Sequence, residues 1–351
     1  MARIINTGIC SFGMSGKLFH APFIKASPHF RLSAVVERHK NESRERYSDS
    51  KLYRSVEEML NDKNIELVVV NTPVQTHFEL AKAALNAGKN IVVEKPFTVN
   101  AAEAIELDKL AKEKNLFLAV YQNRRYDGDY LALKHVVSEN ILGTLKEAEM
   151  RFDRFRPGHS GKDHKEGDKP GAGNLHDLGT HLIDQAIQLF GFPDAVFADV
   201  FTMRQHMIAN DYFEVLLYYP HPFRIRIKGT VFAPEPYHAY ILQGENGTFM
   251  QQRSDLQEER LLAGDTPDVS AWIHTPDNFD GVLNTILNGR HIRKNTRSEI
   301  GNYMNYYEEV YQALVNHARN PVPASDGILT MKIIDAALQS SKEQRVIKLE
   351  R

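Results

Sequence analysis

Three residues of this sequence are well suited to acid–base chemistry, namely Lys95, Asp177 and His181. Lys95 follows the apolar run of NIVVEKP and precedes a proline, a setting unlike that of an ordinary surface lysine. Asp177 and His181 stand four residues apart in GAGNLHDLGTH, so on a helix they share one face and the carboxylate can orient the imidazole. This pattern indicates a site that moves protons.

Each of these residues also has a structural alternative. Glu94 and Lys95 could form a buried ion pair, since such pairs also occur at strand ends of this kind. Asp177 could cap the start of a helix. A metal site would draw its ligands from the same segment, namely His176, His181 and Asp184. Because the segment offers no cysteine and no His-x-x-x-His pair, we expect no metal.

Polar residues follow two neighbouring apolar runs. NTPVQTH, residues 71 to 77, comes at the end of one predicted strand, and EKP comes at the end of the next. In open parallel sheets, ligands bind beyond the carboxyl ends of the strands. We therefore expect one crevice to be lined by Thr72, Pro73, His77, Glu94, Lys95 and Pro96.

The stretch SFGMSG directly after the first apolar run resembles a phosphate-binding turn. Gly13 and Gly16 fill the second and third positions of G-x-G-x-x-G, and Ser11 replaces the first glycine. A residue without a side chain lets the backbone approach a diphosphate, and a helix N-terminus attracts the anion. An ordinary turn from strand to helix is the alternative for this stretch taken alone.

An acidic residue about 20 positions beyond such a turn holds the adenosine ribose in dinucleotide-binding domains. Glu37 closes LSAVVE at that place, and Arg38, His39 and Lys40 follow it. Glu37 favours NAD because it repels a 2′-phosphate, whereas Arg38 could bind that phosphate in NADP. The alternative is a solvated charged loop.

The composition excludes several classes of function. The chain has 351 residues with a formal net charge of -2, so its totals favour neither nucleic acid nor an anionic membrane as a partner. Its one cysteine, Cys10, cannot form an internal disulfide, and no stretch of about 20 apolar residues is present. We therefore expect a cytoplasmic protein of two domains.

Two different patterns of elements must position these residues. In the first third, β-branched runs such as LVVV alternate with amphipathic segments, which predicts an α/β domain with a doubly wound parallel sheet. After the helix YLALKHVVSENILG, alternating strands such as YFEVLLYYP and FRIRIKG predict an α+β domain with a large, mostly antiparallel sheet. Residues 157 to 173 form the clearest flexible loop, and two amphipathic helices flank NPVPAS near the end.

The sequence resembles the glucose-fructose oxidoreductase, inositol dehydrogenase and rhizopine catabolism family, Gfo/Idh/MocA. Four stretches in this order carry the resemblance: SFGMSG, TPVQTHFELAKAALNAGKNIVVEKPFT, YQNRR and GAGNLHDLGTH. The resemblance covers nearly the whole chain. Within the family, the sequence is similar to a bacterial subgroup in which some members are scyllo-inositol dehydrogenases. The resemblance implies a Rossmann domain over 1–123, a substrate-binding and oligomerisation domain over 124–326, and a helix at about 327–343 that packs back on the first domain. It also implies a homodimer or homotetramer that forms through the second sheet.

The resemblance implies a role for each candidate residue. Lys95 would hydrogen-bond the reacting oxygen, His181 would accept its proton, and Asp177 would orient both the histidine and the substrate. The residues that would bind NAD or NADP are Ser11, Phe12, Gly13, Met14, Glu37, Arg38, Thr72, Pro73, His77, Glu94, Lys95 and Asn123. The residues that could contact substrate hydroxyls are Arg124, Arg154, Arg156 and His164, any of which could instead form an ion pair.

The predicted reaction is reversible hydride transfer between NAD or NADP and a secondary alcohol of a cyclitol or sugar. Two other functions compete with it. A nucleotide-sensing regulator would keep the fold and lose turnover. A metal-dependent lyase or hydrolase would use the histidines of the second domain. Since Lys95, Asp177 and His181 are all present, the sequence favours the dehydrogenase.

Overall fold

The structure, a computed structural model, describes residues 3–220, 222–235, 237–267 and 280–350. Contacts divide the chain into two compact units. The first unit comprises Met1–Asn123, Leu256–Ile273 and Asn302–Ile328. The second unit comprises Arg124–Asp255, His274–Gly301 and Leu329–Arg351.

The elements of both units follow one another along the chain. The strands are β1 Ile5–Ile9, β2 Phe30–Val36, β3 Lys51–Tyr53, β4 Leu67–Val70, β5 Asn90–Glu94, β6 Leu118–Tyr121, β7 Leu145–Arg151, β8 Ala195–Phe201, β9 Tyr212–Tyr218, β10 Arg224–Gly229, β11 Tyr240–Gly244, β12 Gly247–Gln251, β13 Gly281–Leu287, β14 Arg290–Thr296 and β15 Ile347–Lys348. The α-helices are α1 Ala21–Ala26, α2 Glu42–Arg46, α3 Val56–Leu60, α4 His77–Asn86, α5 Ala101–Glu113, α6 Gly128–Ser138, α7 Asp163–Glu166, α8 Thr180–Phe190, α9 Gln257–Ala263, α10 Met304–Asn316 and α11 Ala324–Glu343. Gly16–His20 and Leu175–Gly179 are single π-helical turns.

The sheet of the first unit is parallel, with the strand order β3-β2-β1-β4-β5-β6. Every residue of β4 and β6 is buried, as expected for strands covered on both faces. Two helices of this unit begin at side-chain caps, where Ser55 accepts from Glu58 N and Asn100 accepts from Glu103 N. The predicted doubly wound domain is confirmed.

Helix α10 supplies a cluster of buried tyrosines to the core of the first unit. Tyr306 and Tyr307 are fully buried, and the ring of Tyr306 meets that of Tyr121 edge-on at 4.8 Å between centroids. The Tyr307 ring lies edge-on to Phe30 at 5.7 Å and stacks with Phe23 at 6.5 Å. Aromatic pairs in these geometries add to the free energy of burial. This helix therefore belongs to the first unit although it follows the second unit's strands in the chain.

The sheet of the second unit has the order β14-β13-β12-β11-β7-β10-β9-β8-β15 in the described residues. Its neighbours pair antiparallel, except that β7 and β10 run parallel. In β9 the burial alternates strictly, with Phe213, Val215 and Leu217 turned to the core. The predicted mostly antiparallel sheet is confirmed.

The contacts divide the last part of the chain between Ile328 and Leu329, within α11. The predicted 124–326 domain and the predicted packing of residues 327–343 on the first domain stay predictions. From Leu329 onward, the chain belongs to the second unit. Ser340 Oγ accepts from Ala198 N at 3.0 Å, and β15 pairs with β8. These bonds join the end of α11 and the edge strand β15 to β8.

None of the helices in the described ranges combines the length with the low charge of a bilayer-spanning segment.

Candidate active site

The turn after β1 is tied to the end of β4 by Asn71. Ser11 N donates to Asn71 Oδ1 at 2.9 Å, and Asn71 Nδ2 donates to Ser11 O at 2.8 Å. Ser15 Oγ also donates to Asn71 O, at 3.2 Å. Asn71 was not among the predicted binding residues, although its position at a strand end was the available signal. It fixes the shape of the turn from its neighbour strand.

The two glycines of the turn have different reasons to be glycine. A Cβ on Gly16 would lie 2.2 Å from Ser11 O, so any other residue would displace the turn. A Cβ on Gly13 would meet only Ser11 Oγ, at 3.5 Å. The backbone at Gly13 is therefore open to the approach of another molecule, as the diphosphate of a dinucleotide requires.

Ser11 compensates for the missing first glycine. Its Oγ accepts the backbone N–H of Gly13 at 3.2 Å, a local bond that stabilises the turn. Phe12 is buried with its ring edge-on to Tyr47 at 6.0 Å, and the Met14 side chain is 47% exposed. After this glycine turn, the backbone continues into the π-helical turn that begins at Gly16. The arrangement fits a nicotinamide dinucleotide, and the contact of Ser11, Phe12, Gly13 and Met14 with its diphosphate stays a prediction.

Glu37 does not present its carboxylate as the sequence pattern suggested. The side chain is buried, and Oε2 accepts from Ser43 N at 2.9 Å and from Ser43 Oγ at 2.6 Å. Arg54 Nη1 donates to Glu37 O at 3.0 Å and to Lys40 O at 2.7 Å. These bonds brace the loop that leads into α2, and Arg38 lies exposed on that loop. Lys40 on the same loop pairs with Glu42 at 2.8 Å.

His77 joins the two segments that follow β4 and β5. Its Nε2 lies 2.8 Å from Thr72 O, and its Nδ1 lies 2.9 Å from Pro96 O. Burial lowers the pKa of His77, although the carbonyl oxygens favour the protonated ring. Thr72 also bonds Thr76 through the two hydroxyls, at 2.7 Å. The predicted residues of both strand ends are thus brought together, with His77 as the buried tie between them.

Glu94 and Lys95 are held at the carboxyl end of β5. Lys95 is half-buried and is joined to Pro96 by a cis peptide bond. Glu94 Oε2 accepts the backbone N–H of Lys95 at 3.0 Å, and Oε1 lies 2.9 Å from Nε2 of His20. His20 is fully buried and was not predicted from the sequence. Asn123, also predicted to bind the cofactor, is buried just beyond β6.

In the second unit, Asp177 and His181 occupy consecutive helical segments rather than one regular helix. Asp177 lies on the π-helical turn, and the buried His181 lies in the first turn of α8. The position before the turn is Asn174, and Asp177 N donates to Gly173 O at 3.0 Å. Asp177 is therefore not an N-cap. Its Oδ1 accepts from Nζ of Lys165 on α7 at 2.7 Å.

The residues named for the metal alternative, His176, His181 and Asp184, are all buried. Asp184 is bound by Arg125 through two bonds, of 2.8 and 2.6 Å. Within the part of the chain that the structure describes, no group of three histidine, cysteine or acidic side chains is arranged to hold a metal ion.

Two of the four predicted substrate residues lie around one aromatic ring. The guanidinium groups of Arg124 and Arg154 stand 5.0 and 4.9 Å from the ring centroid of Phe152, and Arg253 stands 4.1 Å from it. Arg124 also donates to Asp127 at 3.1 Å. Arg253 lies far from the others in the sequence, which gave no signal for it. Three guanidinium groups thus lie in cation–π contact with the Phe152 ring.

The other two predicted substrate residues lie elsewhere on the second unit. Arg156 is exposed, and its backbone N–H donates to Val231 O at 2.9 Å. His164 lies half-buried on α7, where burial, Lys165 and Lys162 lower its pKa. His164 therefore favours the neutral ring, which can donate and accept hydrogen bonds.

Comparison with known proteins covers both units. Residues 5–122 match the model of the oxidoreductase family with an NAD-binding Rossmann fold, and residues 134–349 match its C-terminal alpha/beta domain. The chain is 37% identical to the uncharacterized oxidoreductase YdgJ of Escherichia coli, over 99% of this chain and 100% of that protein. It is 35% identical to scyllo-inositol 2-dehydrogenase (NADP(+)) IolW of Bacillus subtilis, over 99% of this chain and 96% of that protein.

A solved oxidoreductase structure from Bacillus cereus has the same fold. It superimposes with a TM-score of 0.90 at 33% identity, over 99% of each chain. The predicted resemblance is confirmed, and the chain belongs to the Gfo/Idh/MocA oxidoreductase family, whose first domain is an NAD-binding Rossmann fold.

Proposed function

We propose that this protein is a dehydrogenase that uses NADP or NAD to interconvert a secondary alcohol and a ketone on a cyclitol or sugar. The observation that carries the proposal lies in the first unit, where the open turn at Gly13 and the half-buried Lys95 follow strands of one parallel sheet. Ligands of such sheets bind beyond these strand ends. Lys95 follows one of these strands, and we assign to it the hydrogen bond to the substrate oxygen.

The proposed chemistry assigns one task to each candidate residue. When bound, the nicotinamide ring supplies the acceptor or donor of a hydride. In the oxidation direction, a ring nitrogen of His181 takes the hydroxyl proton, and Lys95 Nζ donates to the oxygen as negative charge develops there. Asp177 orients the imidazole. A positioned base contributes roughly 10²- to 10⁴-fold in rate, and a preorganised donor about 10²- to 10³-fold.

We propose NADP as the preferred cofactor. Glu37 directs its carboxylate to Ser43, so its charge is not presented against a 2′-phosphate, whereas Arg38 is exposed beside it. Arginine binds phosphate oxygens through a planar pair of donors. The name of the Bacillus subtilis relative, an NADP-dependent scyllo-inositol dehydrogenase, supports this choice.

A polyol substrate agrees with the donors of the second unit. The oxygens of a cyclitol or sugar require several hydrogen-bond partners, and Arg124 and Arg154 supply fixed guanidinium groups around Phe152. The scyllo-inositol activity in the relative's name makes inositols the first substrates to test.

We further propose that the protein forms a homodimer or homotetramer through the second sheet. A row of half-buried residues crosses the face turned away from the core, in the order Phe197, Leu216, Arg226, Glu149, Ile241, Met250 and Val282. Its apolar members lie on both sides of the Arg226–Glu149 pair, whose atoms approach to 3.6 Å. Arg226 also pairs with Glu214 at 3.0 Å, so the face combines apolar side chains with a network of ion pairs, and such a face suits a self-complementary contact.

The direct test offers NADP and NAD with a panel of inositols and aldoses and follows the absorbance of the reduced cofactor. We expect turnover of at least one inositol or sugar. Lys95→Ala and His181→Ala should each lower kcat by roughly 10²-fold or more while cofactor binding persists. Cofactor binding without turnover of any substrate would favour a nucleotide sensor. Normal rates in both variants would refute the catalytic roles.

A further inference from the structure

We propose that His20 and Tyr307 are positioning residues for the candidate catalytic Lys95 and that they act on it through Glu94. The inference rests on the proposed function of Lys95 as the donor to the reacting oxygen. It concerns a chain of three buried side chains from three separate parts of the sequence, all within the first unit.

The hydrogen-bonded chain of Tyr307, His20 and Glu94 begins on α10 and ends at the backbone of Lys95. Tyr307 OH lies 2.7 Å from His20 Nδ1, and His20 Nε2 lies 2.9 Å from Glu94 Oε1. Glu94 Oε2 then accepts the N–H of Lys95 at 3.0 Å. Both carboxylate oxygens are thus engaged, one by the histidine and the other by the lysine's own peptide. The orientation of this carboxylate is therefore coupled to the position of the lysine.

The polarity of the chain follows from the chemistry of its members. A carboxylate only accepts hydrogen bonds, so His20 Nε2 must donate to Glu94, which leaves His20 Nδ1 to pair with the Tyr307 hydroxyl. Burial and the nearby Glu94 charge raise the pKa of Tyr307 well above its ordinary value, so the phenol keeps its proton. Glu94 thereby requires a hydrogen on Nε2 of His20, and the Tyr307 hydroxyl is the partner of the other ring nitrogen.

Glu94 remains charged in this buried position. Burial raises its pKa, but the hydrogen bond and the charge of His20, followed by the charge of Lys95, outweigh burial and lower the pKa. A buried charge of this kind is costly for stability compared with well-packed apolar side chains, so its presence calls for a use other than packing. A fixed negative charge next to the lysine is such a use, because it accepts the lysine's peptide N–H and attracts its cation.

The same chain reaches the cofactor turn. His20 is the last residue of the π-helical turn that starts at Gly16, three residues after the open backbone at Gly13. Single π-helical turns occur often at functional sites. The ring of His20 also packs on Tyr121 of β6, with centroids 4.5 Å apart. His20 therefore links the segment that follows the turn to the strand end that carries Lys95.

Helix α10 offers a matched pair of variants for the test. Tyr306 and Tyr307 are both fully buried, and each hydroxyl is bonded, Tyr306 to Val120 O at 3.0 Å and Tyr307 to His20. Tyr307→Phe removes the end of the chain, and Tyr306→Phe removes an equivalent bond outside it. Tyr307→Phe should lower kcat by roughly 10- to 100-fold, since small misplacements of reacting groups have effects of this size. The Kd for NADP should stay within about twofold.

A double-mutant cycle on kcat distinguishes a broken hydrogen-bonded chain from a general loosening of the core. Glu94→Gln should also lower kcat, and the double variant Tyr307→Phe/Glu94→Gln should be no slower than Glu94→Gln alone, because both changes break one chain. Tyr306→Phe/Glu94→Gln should show the independent product of its two effects. Independent effects of Tyr307→Phe and Glu94→Gln, or equal kcat values for the two tyrosine variants, would overturn the proposal.

A second readout does not require turnover. The protein is reductively methylated with ¹³C, and the Lys95 resonance is identified by its loss in Lys95→Arg. That resonance should shift in Tyr307→Phe and stay in place in Tyr306→Phe. If no substrate is turned over, the proposed function fails on its own, and this signal decides whether the chain positions Lys95. An unmoved resonance in Tyr307→Phe would then reject it.

Discussion

Lys165 Nζ lies 2.7 Å from Asp177 Oδ1, so the carboxylate predicted to orient His181 already has a cationic partner. Lys165 is on the short helix α7, and its carbonyl oxygen accepts the N–H of Gly173 at 2.8 Å. The loop that carries α7 is itself anchored, because Arg204 bridges Glu166 and Asp211 at 2.9 and 2.8 Å. The second unit thus holds a lysine in place beside its candidate catalytic aspartate.

Replacing this lysine should impair catalysis without harming the fold. Lys165→Met removes the donor to Asp177, and we expect kcat/KM to fall about 3- to 10-fold, a modest loss because the pair is half-exposed. Lys169→Met, an exposed change in the same loop, is the control and should leave kcat/KM within about twofold. Lys165→Arg should recover most of the loss. Equal kcat/KM values for the two methionine variants would show that the bond from Lys165 to Asp177 does not contribute to catalysis.

The strands were predictable because their signal is local. An apolar run such as LVVV indicates a strand buried on both faces, and an alternation such as YFEVLLY indicates a strand buried on one face. The structure has both strands where these patterns predict them. Strand β3, only three residues long, and the hairpin of β13 and β14 were missed. A three-residue run is too short to show a period.

The partners within the candidate site were less predictable because they depend on tertiary contacts. Lys165 meets Asp177 across a loop, and His20 meets Tyr307 across 287 positions of sequence. The pattern located Glu37 at the correct strand end, but the rotamer that turns its carboxylate to Ser43 has no signature in the sequence. Spacing can place a residue at a site, whereas hydrogen bonds decide which partner it has.

The two glycines of the cofactor turn should respond differently to valine. In Gly13→Val the new side chain fills open space, so we expect little change in the thermal midpoint and a loss of NADP affinity of roughly 100-fold or more, equivalent to about 3 kcal/mol. In Gly16→Val the Cβ collides with Ser11 O, and we expect destabilisation of about 1–3 kcal/mol. Calorimetry of unfolding and of cofactor binding separates the two effects. Full NADP affinity in Gly13→Val would place the diphosphate elsewhere.

Arg38 should set the preference between the two cofactors. Arg38→Ala removes the exposed guanidinium beside Glu37, and we expect KM for NADP to rise roughly 10-fold or more while KM for NAD changes little, because NAD lacks the 2′-phosphate. The neighbouring exposed residue gives the control, His39→Ala, which should affect both cofactors less. Equal losses for NADP and NAD in Arg38→Ala would show that Arg38 contacts a part common to both.

A single charge on the outer face of the second sheet should separate the subunits. Ile241 stands in the middle of the cross-strand row, paired with Glu149 on one side and Met250 on the other. Ile241→Asp places a carboxylate next to Glu149, and burying these like charges in a self-complementary contact costs several kcal/mol. We therefore expect light scattering after gel filtration to report a dimer or tetramer for the wild type and a smaller species for Ile241→Asp. Ile208→Asp, at a side chain that is 65% exposed outside the strands, should keep the wild-type mass. An unchanged mass for Ile241→Asp would exclude this face as the contact, and a monomeric wild type would exclude the assembly itself.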